Sequence, residues 1–140
     1  MRLRRDAKVE LIRKVPLFSG CSKTELEQVA SIADEIDFEA GKRLIEEGSR
    51  GHEFLVVLEG SVDVRKGSRK LKTLGAGDFV GEIALVVDIP RIASVTTSSP
   101  VRALVITGRA FRSLLERSPE VERKVLEALA HRLAETTQIL

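Results

Sequence analysis

The sequence predicts an α+β fold, mainly β: an antiparallel β-roll of the double-stranded β-helix or jelly-roll kind, with two N-terminal helices and a pair of C-terminal helices. Two observations lead there. Apolar residues recur at helical spacing over residues 4–34, break into short apolar or alternating runs punctuated by glycine between Ile36 and Ile106, and return to helical spacing after Gly108. The runs are also joined by turn residues rather than by helices, and parallel strands need a crossover of a dozen or more residues to return the chain, so the sheets are antiparallel. The 140 residues are the size of one ordinary domain. Residues 1–140 are accordingly expected to form a single domain, with N-terminal helices over 1–34, the roll over 36–107 and C-terminal helices over 109–140.

Each element has a local reason. "MRLRRDAKVELIRK" has the spacing of an amphipathic helix with Val9, Ile12 and Val15 on its buried side, and Pro16 ends it. Ser22 and Glu25 form the signature of a capping box, opening a second helix with Leu26, Val29, Ala30 and Ala33 on one face. The runs "IDFEAG", "RLIEEG", "FLVVLEG", "SVDVRKG", "KLKTLGAGD", "ASVTT" and "VRALVIT" read as strands. Within them "LEGSV" reads as a hairpin turn with Gly60 at a positive φ. Beyond "RAFRSLLER", Ser118 and Pro119 supply a cap and a first-turn proline for the last helix.

Composition excludes several functions. Hydrophobic residues are 43% and charged residues 31% of the chain, a globular balance, and the net charge of +2 announces no nucleic-acid surface. Trp and Tyr are absent and the five Phe are scattered, so there is no stacking platform for bases, and this chain alone is not expected to bind nucleic acid. The one cysteine, Cys21, makes no internal disulfide, which points to a reducing cytoplasm, and it reads as a small apolar residue at a helix entrance. No apolar run approaches a membrane span and no signal peptide is visible, so no membrane partner is expected. Two distant histidines, His52 in a solvated loop tip and His131 on the surface of the last helix, form no catalytic constellation and no metal site. The chain is read as a non-enzyme without metal or cofactor.

The segment "GEIALVVDIPRIAS", residues 81–94, interrupts the strand pattern. It is neither alternating nor long enough for a free helix, and one helical turn between two strands fits it. Gly77 and Gly81 let the backbone bend on entry, and the turn then presents N–H groups of residues such as Ala84 and Leu85 to an anion. Arg91 returns alongside to clamp it with charge-assisted bonds. A bare phosphate has no use for the carboxylate of Glu82, whereas a sugar hydroxyl does, so the expected ligand is a small phosphorylated sugar such as a nucleotide.

"GDFVGEIALVVDIPRIASV" closely resembles the phosphate-binding cassette of cyclic nucleotide-binding domains, here residues 77–95. The family pattern is Gly-Glu, a small apolar turn, then Pro-Arg, a variable residue and Ala, and Gly81, Glu82, Ala84, Leu85, Pro90, Arg91 and Ala93 stand at the matching positions. Gly41, Gly48, Gly60, Gly75, Gly77 and Asp78, with "VPLF" before and "FRSLLER" after, extend the resemblance over nearly the whole chain. It implies that Glu82 takes the ribose 2′-hydroxyl, Arg91 the cyclic phosphate, and the backbone N–H groups of Ala84, Leu85 and Ile92 the remaining phosphate oxygens. Members that prefer cyclic GMP commonly carry Thr after the arginine. Ile92 stands there, which implies cyclic AMP ahead of cyclic GMP.

The last helix resembles the region leading into the central helix of the catabolite activator branch of the family, where a Thr-Ser pair reaches the adenine amino group. Thr136 and Thr137 fall on those positions, which implies a ligand role in a homodimer. The stripe Val121, Val125, Leu129, Leu133 is a candidate for that dimer seam or for packing on the roll. The sequence ends at Leu140, before the helix-turn-helix module of that branch, so its output is expected to pass to an unidentified effector protein or fused domain. The competing reading is a β-roll used for protein interaction or dimerisation, with an empty or non-nucleotide pocket: Glu82 and Arg91 speak against it, and the bulk of Ile92 speaks for it.

Overall fold

Helices and strands form where periodicity and capping place them. The computed structural model describes residues 3–137, the side chains of residues 132, 136 and 137 lying outside that description. Helix α1 (Arg5–Arg13) stops short of Pro16, a 3-10 turn covers Pro16–Phe18, and α2 (Lys23–Ser31) opens on the predicted capping box. In that box Glu25 N–H donates to Ser22 Oγ at 3.2 Å and Ser22 N–H to Glu25 Oε1 at 2.7 Å. Strands β1 (Asp34–Phe38), β2 (Arg43–Ile45), β3 (Phe54–Glu59), β4 (Val62–Lys66), β5 (Arg69–Leu74), β6 (Phe79–Val80), β7 (Ser94–Thr97) and β8 (Val101–Ile106) follow. A 3-10 turn, Glu82–Leu85, separates β6 from β7, and α3 (Gly108–Arg117) and α4 (Pro119–Thr137) end the described chain.

By their internal contacts these elements divide into a helical unit, Met1–Ile32 with Phe111–Leu140, and a β unit, Ala33–Ala110. In the helical unit the predicted faces are buried: Val9, Ile12, Val15, Leu26 and Val29 are each no more than 1% exposed. Phe18 and Phe111 meet edge to face with ring centroids 5.8 Å apart, a geometry worth about 1 kcal/mol beyond the burial of the rings. Lys124 on α4 donates to Glu25 Oε1 at 2.6 Å, joining α4 to the α2 cap. The stripe on α4 divides along its length: Val121 and Val125 are buried, Leu129 is half-buried and Leu133 is 63% exposed. Cys21 is buried, and burial pushes its thiol pKa up, as an inert packed side chain requires.

The β unit is two four-stranded antiparallel sheets, β1-β8-β3-β6 and β2-β7-β4-β5. Their facing residues, among them Leu55, Val57, Val62, Val64, Val95 and Val105, form one core, and strand alternation supplies each in turn. Two corrections to the sequence reading emerge. Strand β1 begins at Asp34 rather than Ile36, because Asp34 and Glu35 pair with Val105 and Leu104 on β8 although their side chains carry no apolar signal. And "LEGSV" is not a hairpin turn: β3 and β4 belong to different sheets, and residues 59–62 cross between them. Gly60 does take φ 90°, but the demand is steric, since a Cβ there would sit 2.2 Å from the Pro100 carbonyl oxygen. The crossing is tied to the 98–100 turn, where Ser98 N–H donates to the Ser61 carbonyl at 3.0 Å and Ser61 N–H to Ser99 Oγ at 3.0 Å.

Gly60→Ala is expected to cost at least about 2 kcal/mol in urea unfolding, from left-handed strain plus the clash with Pro100. Gly20→Ala, where a Cβ meets nothing within 4 Å, should stay within about 0.5 kcal/mol of wild type. The Lys124 ammonium and the Ser22 backbone hold the Glu25 carboxyl below its ordinary value of 4.5. A depressed acid stabilises the fold above its unfolded pKa and loses that contribution as pH falls through the folded one. The stability difference between wild type and Glu25→Gln should therefore be full at pH 7 and close below pH 4.5, as read by unfolding at both pH values.

Candidate functional site

The segment that breaks the strand pattern is built on three supports. The first is its entry. Asp78 Oδ2 accepts Gly75 N–H at 2.8 Å, while Val57 and residues 77 and 78 exchange backbone bonds of 2.8 Å, so the turn before β6 is fastened to β3. The second is Gly81, at φ 87° and ψ 12°, which turns the chain from β6 into the 3-10 turn Glu82–Leu85. The third is the β2–β3 loop: Gly48 N–H donates to the Arg91 carbonyl and Arg91 N–H to the Ser49 carbonyl, both at 2.8 Å. Asp88 adds a side-chain tie to the same loop, with His52 Nε2 at 3.1 Å and Arg50 at 3.6 Å. His52, in this loop and 31% exposed, is tied to the segment through Asp88.

These supports place Arg91 inside the protein, its side chain 6% exposed. Nη2 donates to the Glu53 carbonyl at 2.7 Å and to Glu53 Oε2 at 3.4 Å. Burial pulls the guanidinium pKa down from its ordinary value, and the Glu53 carboxylate raises it part of the way back. The space around it is close. A Cβ on Gly81 would lie 2.9 Å from Arg91 Nη1 and 2.8 Å from the Glu53 carbonyl oxygen, and one on Gly51 would lie 3.4 Å from Nε. Glu82 is buried as well, at 5% exposure. Both residues line a cleft of about 420 Å³, within the range of small-molecule sites. Its walls are otherwise aliphatic and glycyl, with Phe79 and Lys72. The cleft has one end rich in fixed polar groups and a long apolar remainder, which suits a ligand with an anionic, hydroxyl-bearing part and a flat apolar part.

A family model described as "Cyclic nucleotide-binding domain" matches residues 35–118. The chain belongs to this family.

Among relatives, a cAMP-dependent protein kinase regulatory subunit from Mycosarcoma maydis is 32% identical over 121 residues, covering 80% of this chain and 23% of the relative. A CRP-like cAMP-activated global transcriptional regulator from Mycobacterium tuberculosis is 28% identical over 136 residues, covering 94% and 61%. The chain therefore spans about a quarter to three fifths of the length of these relatives. The N-terminal domain of a transcriptional regulator from Streptomyces coelicolor A3(2) superposes with a TM-score of 0.84 at 27% identity, over 93% of this chain and 96% of that one. The β-roll with N- and C-terminal helices is the fold of this family, as the sequence predicted.

On this cyclic nucleotide-binding domain the structure brings Gly81, Glu82, Ala84, Arg91, Ile92 and Ala93 to one cleft. Ile92 is 73% exposed at its rim, and its N–H has no hydrogen-bond partner among the described residues. The Leu85 side chain is 2% exposed and anchors the turn in the core. One expectation changes. Ala84 N–H is not open, since it donates to the Gly81 carbonyl at 3.2 Å and closes the turn. The side chains of Thr136 and Thr137 lie outside the described residues. Glu53 and Lys72 escaped the sequence reading. Glu53 is separated from Arg91 by 38 positions, and its one local signal is an acidic residue directly before the buried run of β3. Lys72 sits on an exposed strand whose alternation a bulge interrupts. No helix among the described residues is long and apolar enough to cross a membrane, and no group of three metal-binding side chains occurs among them.

Gly81→Ala is expected to force Arg91 and the Glu53 carbonyl apart. Its cost should be at least about 2 kcal/mol of stability, from left-handed strain and the two close contacts. Thermal unfolding alongside Gly20→Ala reads it.

Proposed function

We propose that the chain is a regulatory sensor, not an enzyme, that binds a cyclic nucleotide in the β-roll cleft and signals through its C-terminal helix. The observation that carries this reading is the buried Arg91 guanidinium, held by Glu53 through Nη2 with Nη1 against the Gly81 turn, in the cleft that Glu82 also lines. In this reading Arg91 clamps the cyclic phosphate with charge-assisted bonds, helped by backbone N–H groups of Ile92 and Leu85. Ala84 N–H joins them once it leaves the Gly81 carbonyl. Glu82 accepts from the ribose 2′-hydroxyl, and Gly81 and Ala93 leave room for the ring. The aliphatic walls take the base.

Cyclic AMP is the proposed ligand, supported by the relatives named for it and by Ile92, which offers guanine no hydrogen bond. Cyclic GMP is the second reading. It is favoured by Lys72, a cleft-lining residue whose ammonium would suit the paired acceptors N7 and O6 of guanine. Thr136 and Thr137 are proposed to reach the adenine amino group in a homodimer formed through α4. The partner that reads the signal is an effector protein or fused domain, and the compartment is the cytoplasm.

Calorimetric titration with both nucleotides tests the reading. Heat and thermal stabilisation are expected, about 2.7 kcal/mol at a ligand concentration ~100 times Kd, and their absence with either nucleotide at millimolar concentration overturns it. Arg91→Ala should weaken binding by roughly one to two orders of magnitude. Glu82→Ala should weaken cyclic AMP and spare its 2′-deoxy analogue, and equal losses would remove the ribose contact. If Thr137→Ala leaves adenine selectivity intact, the threonine role is wrong.

A further inference from the structure

We propose that the β4–β5 hairpin is a docking edge for an acidic, extended protein segment that adds to β5 as a further strand. The sequence concentrates charge there. Residues 62–74 hold five of the 23 basic residues and one of the 21 acidic residues, a net +4, which leaves 18 basic against 20 acidic residues, a net −2, for the rest of the chain. Arg65, Lys66, Arg69, Lys70 and Lys72 are all exposed. Lys70 reaches Asp63 at 3.4 Å and Arg65 donates to the Ser68 carbonyl at 3.2 Å, while Lys66, Arg69 and Lys72 meet no acidic group among the described residues.

The backbone is open on the same side. β5 is the outermost strand of its sheet and pairs only with β4, so one row of its N–H and C=O groups has no strand beside it among the described residues. The ladder slips between Val64 and Arg65, which leaves Leu71 outside the register; Leu71 and Lys72 line the ligand cleft, so the docking cations proper are Arg65, Lys66, Arg69 and Lys70. Lysines on an edge also keep copies of a chain from zipping together. That accounts for the cations of β5 but not for Arg65 and Lys66 on the inner strand, which add to the same field.

Charge decides the occupant. A second copy would set +4 against +4, so the partner is anionic. A bilayer would engage the cations but leave the edge groups of β5 unsatisfied, and one half-exposed leucine is a small apolar anchor. Nucleic acid would find no aromatic side chain in this hairpin to stack on. An acidic extended segment meets both demands: main-chain bonds along β5, and carboxylates at alternate positions facing the cations.

The test uses the full chain and two labelled peptides of about ten residues, one alternating Glu and Val, the other alternating Glu and Pro, which has the same charge but cannot form a strand ladder. The Glu-Val peptide is expected to bind at low salt, at least tenfold more tightly than the Glu-Pro peptide, and to slow hydrogen exchange of β5 amides. K66E/R69E should weaken it at least tenfold, and the milder K66Q/R69Q by less, both with wild-type melting. Equal binding of the two peptides overturns strand addition. Absence of Glu-Val binding overturns the proposal outright. Tighter uptake by vesicles of about 30% phosphatidylserine, or by duplex DNA, than by the Glu-Val peptide replaces the occupant with a membrane or a nucleic acid and overturns it as well.

Discussion

A guanidinium taken out of water costs several kcal/mol unless fixed acceptors surround it, and Arg91 is such a group. The features of the cassette follow from that constraint. Glu53 supplies two acceptors to a single nitrogen, its backbone carbonyl at 2.7 Å and its carboxylate at 3.4 Å. Because the carbonyl belongs to the main chain just before β3, the arginine is tied to the sheet itself and not to a mobile side chain alone. The positions that flank it are glycines for the same reason. At Gly81 a side chain would intrude on both the guanidinium and its acceptor, and at Gly51 it would press on both partners of the ion pair. An arginine anchored through Nη2 is preorganised, so an arriving anion does not have to pay for ordering it.

The frame that holds this arrangement is made of strand pairing beside the cleft. The two-residue strand β6 pairs with the middle of β3, through Leu55 with Val80 and Val56 with Phe79. The Phe54 and Phe79 rings lie 6.2 Å apart beside that short ladder. β3 is buried over Phe54–Val57, so Gly81 leaves the sheet from a rigid base. On the far side of the turn, Arg91 exchanges two backbone bonds with the β2–β3 loop before β7 returns to its sheet. The cleft thus opens where the chain passes from one sheet to the other, and its walls draw on both: Phe79 and Val80 from one, Ile45, Val64, Leu74 and Val95 from the other.

How much of this was legible in the sequence depended on whether a signal was local. Capping by Ser22 and Glu25, the helix faces around Ile12 and Leu26, and seven of the eight strands rest on patterns within a few residues, and the structure has them where the patterns lie. β6 was invisible because two residues carry no period, and β1 was read two residues short because its first side chains are acidic. "LEGSV" misled for a deeper reason. A glycine between two apolar runs marks a sharp change of direction, and the same chemistry serves a hairpin and a crossing between sheets. What separates the two is the pairing of β3 with β8 and of β4 with β7, which no residue of the turn encodes.

The candidate site divides along the same line. That Glu82 and Arg91 come to one cleft was legible because the glycine, the apolar turn and the Pro-Arg pair form one continuous stretch. Glu53 was not, since a Glu before a β-strand is ordinary and only the fold sets it against Arg91. It nevertheless bears on the site. Arg91 is already paired with Glu53, and Glu82 lines the same cleft, so the pull of this pocket on an anion depends on geometry more than on net charge. In the proposed reading, specificity comes from the pair of groups: a ligand that brings an anion to Arg91 and a hydroxyl to Glu82 would satisfy both signs at once. A bare anion of equal charge satisfies only one and leaves a buried carboxylate beside it.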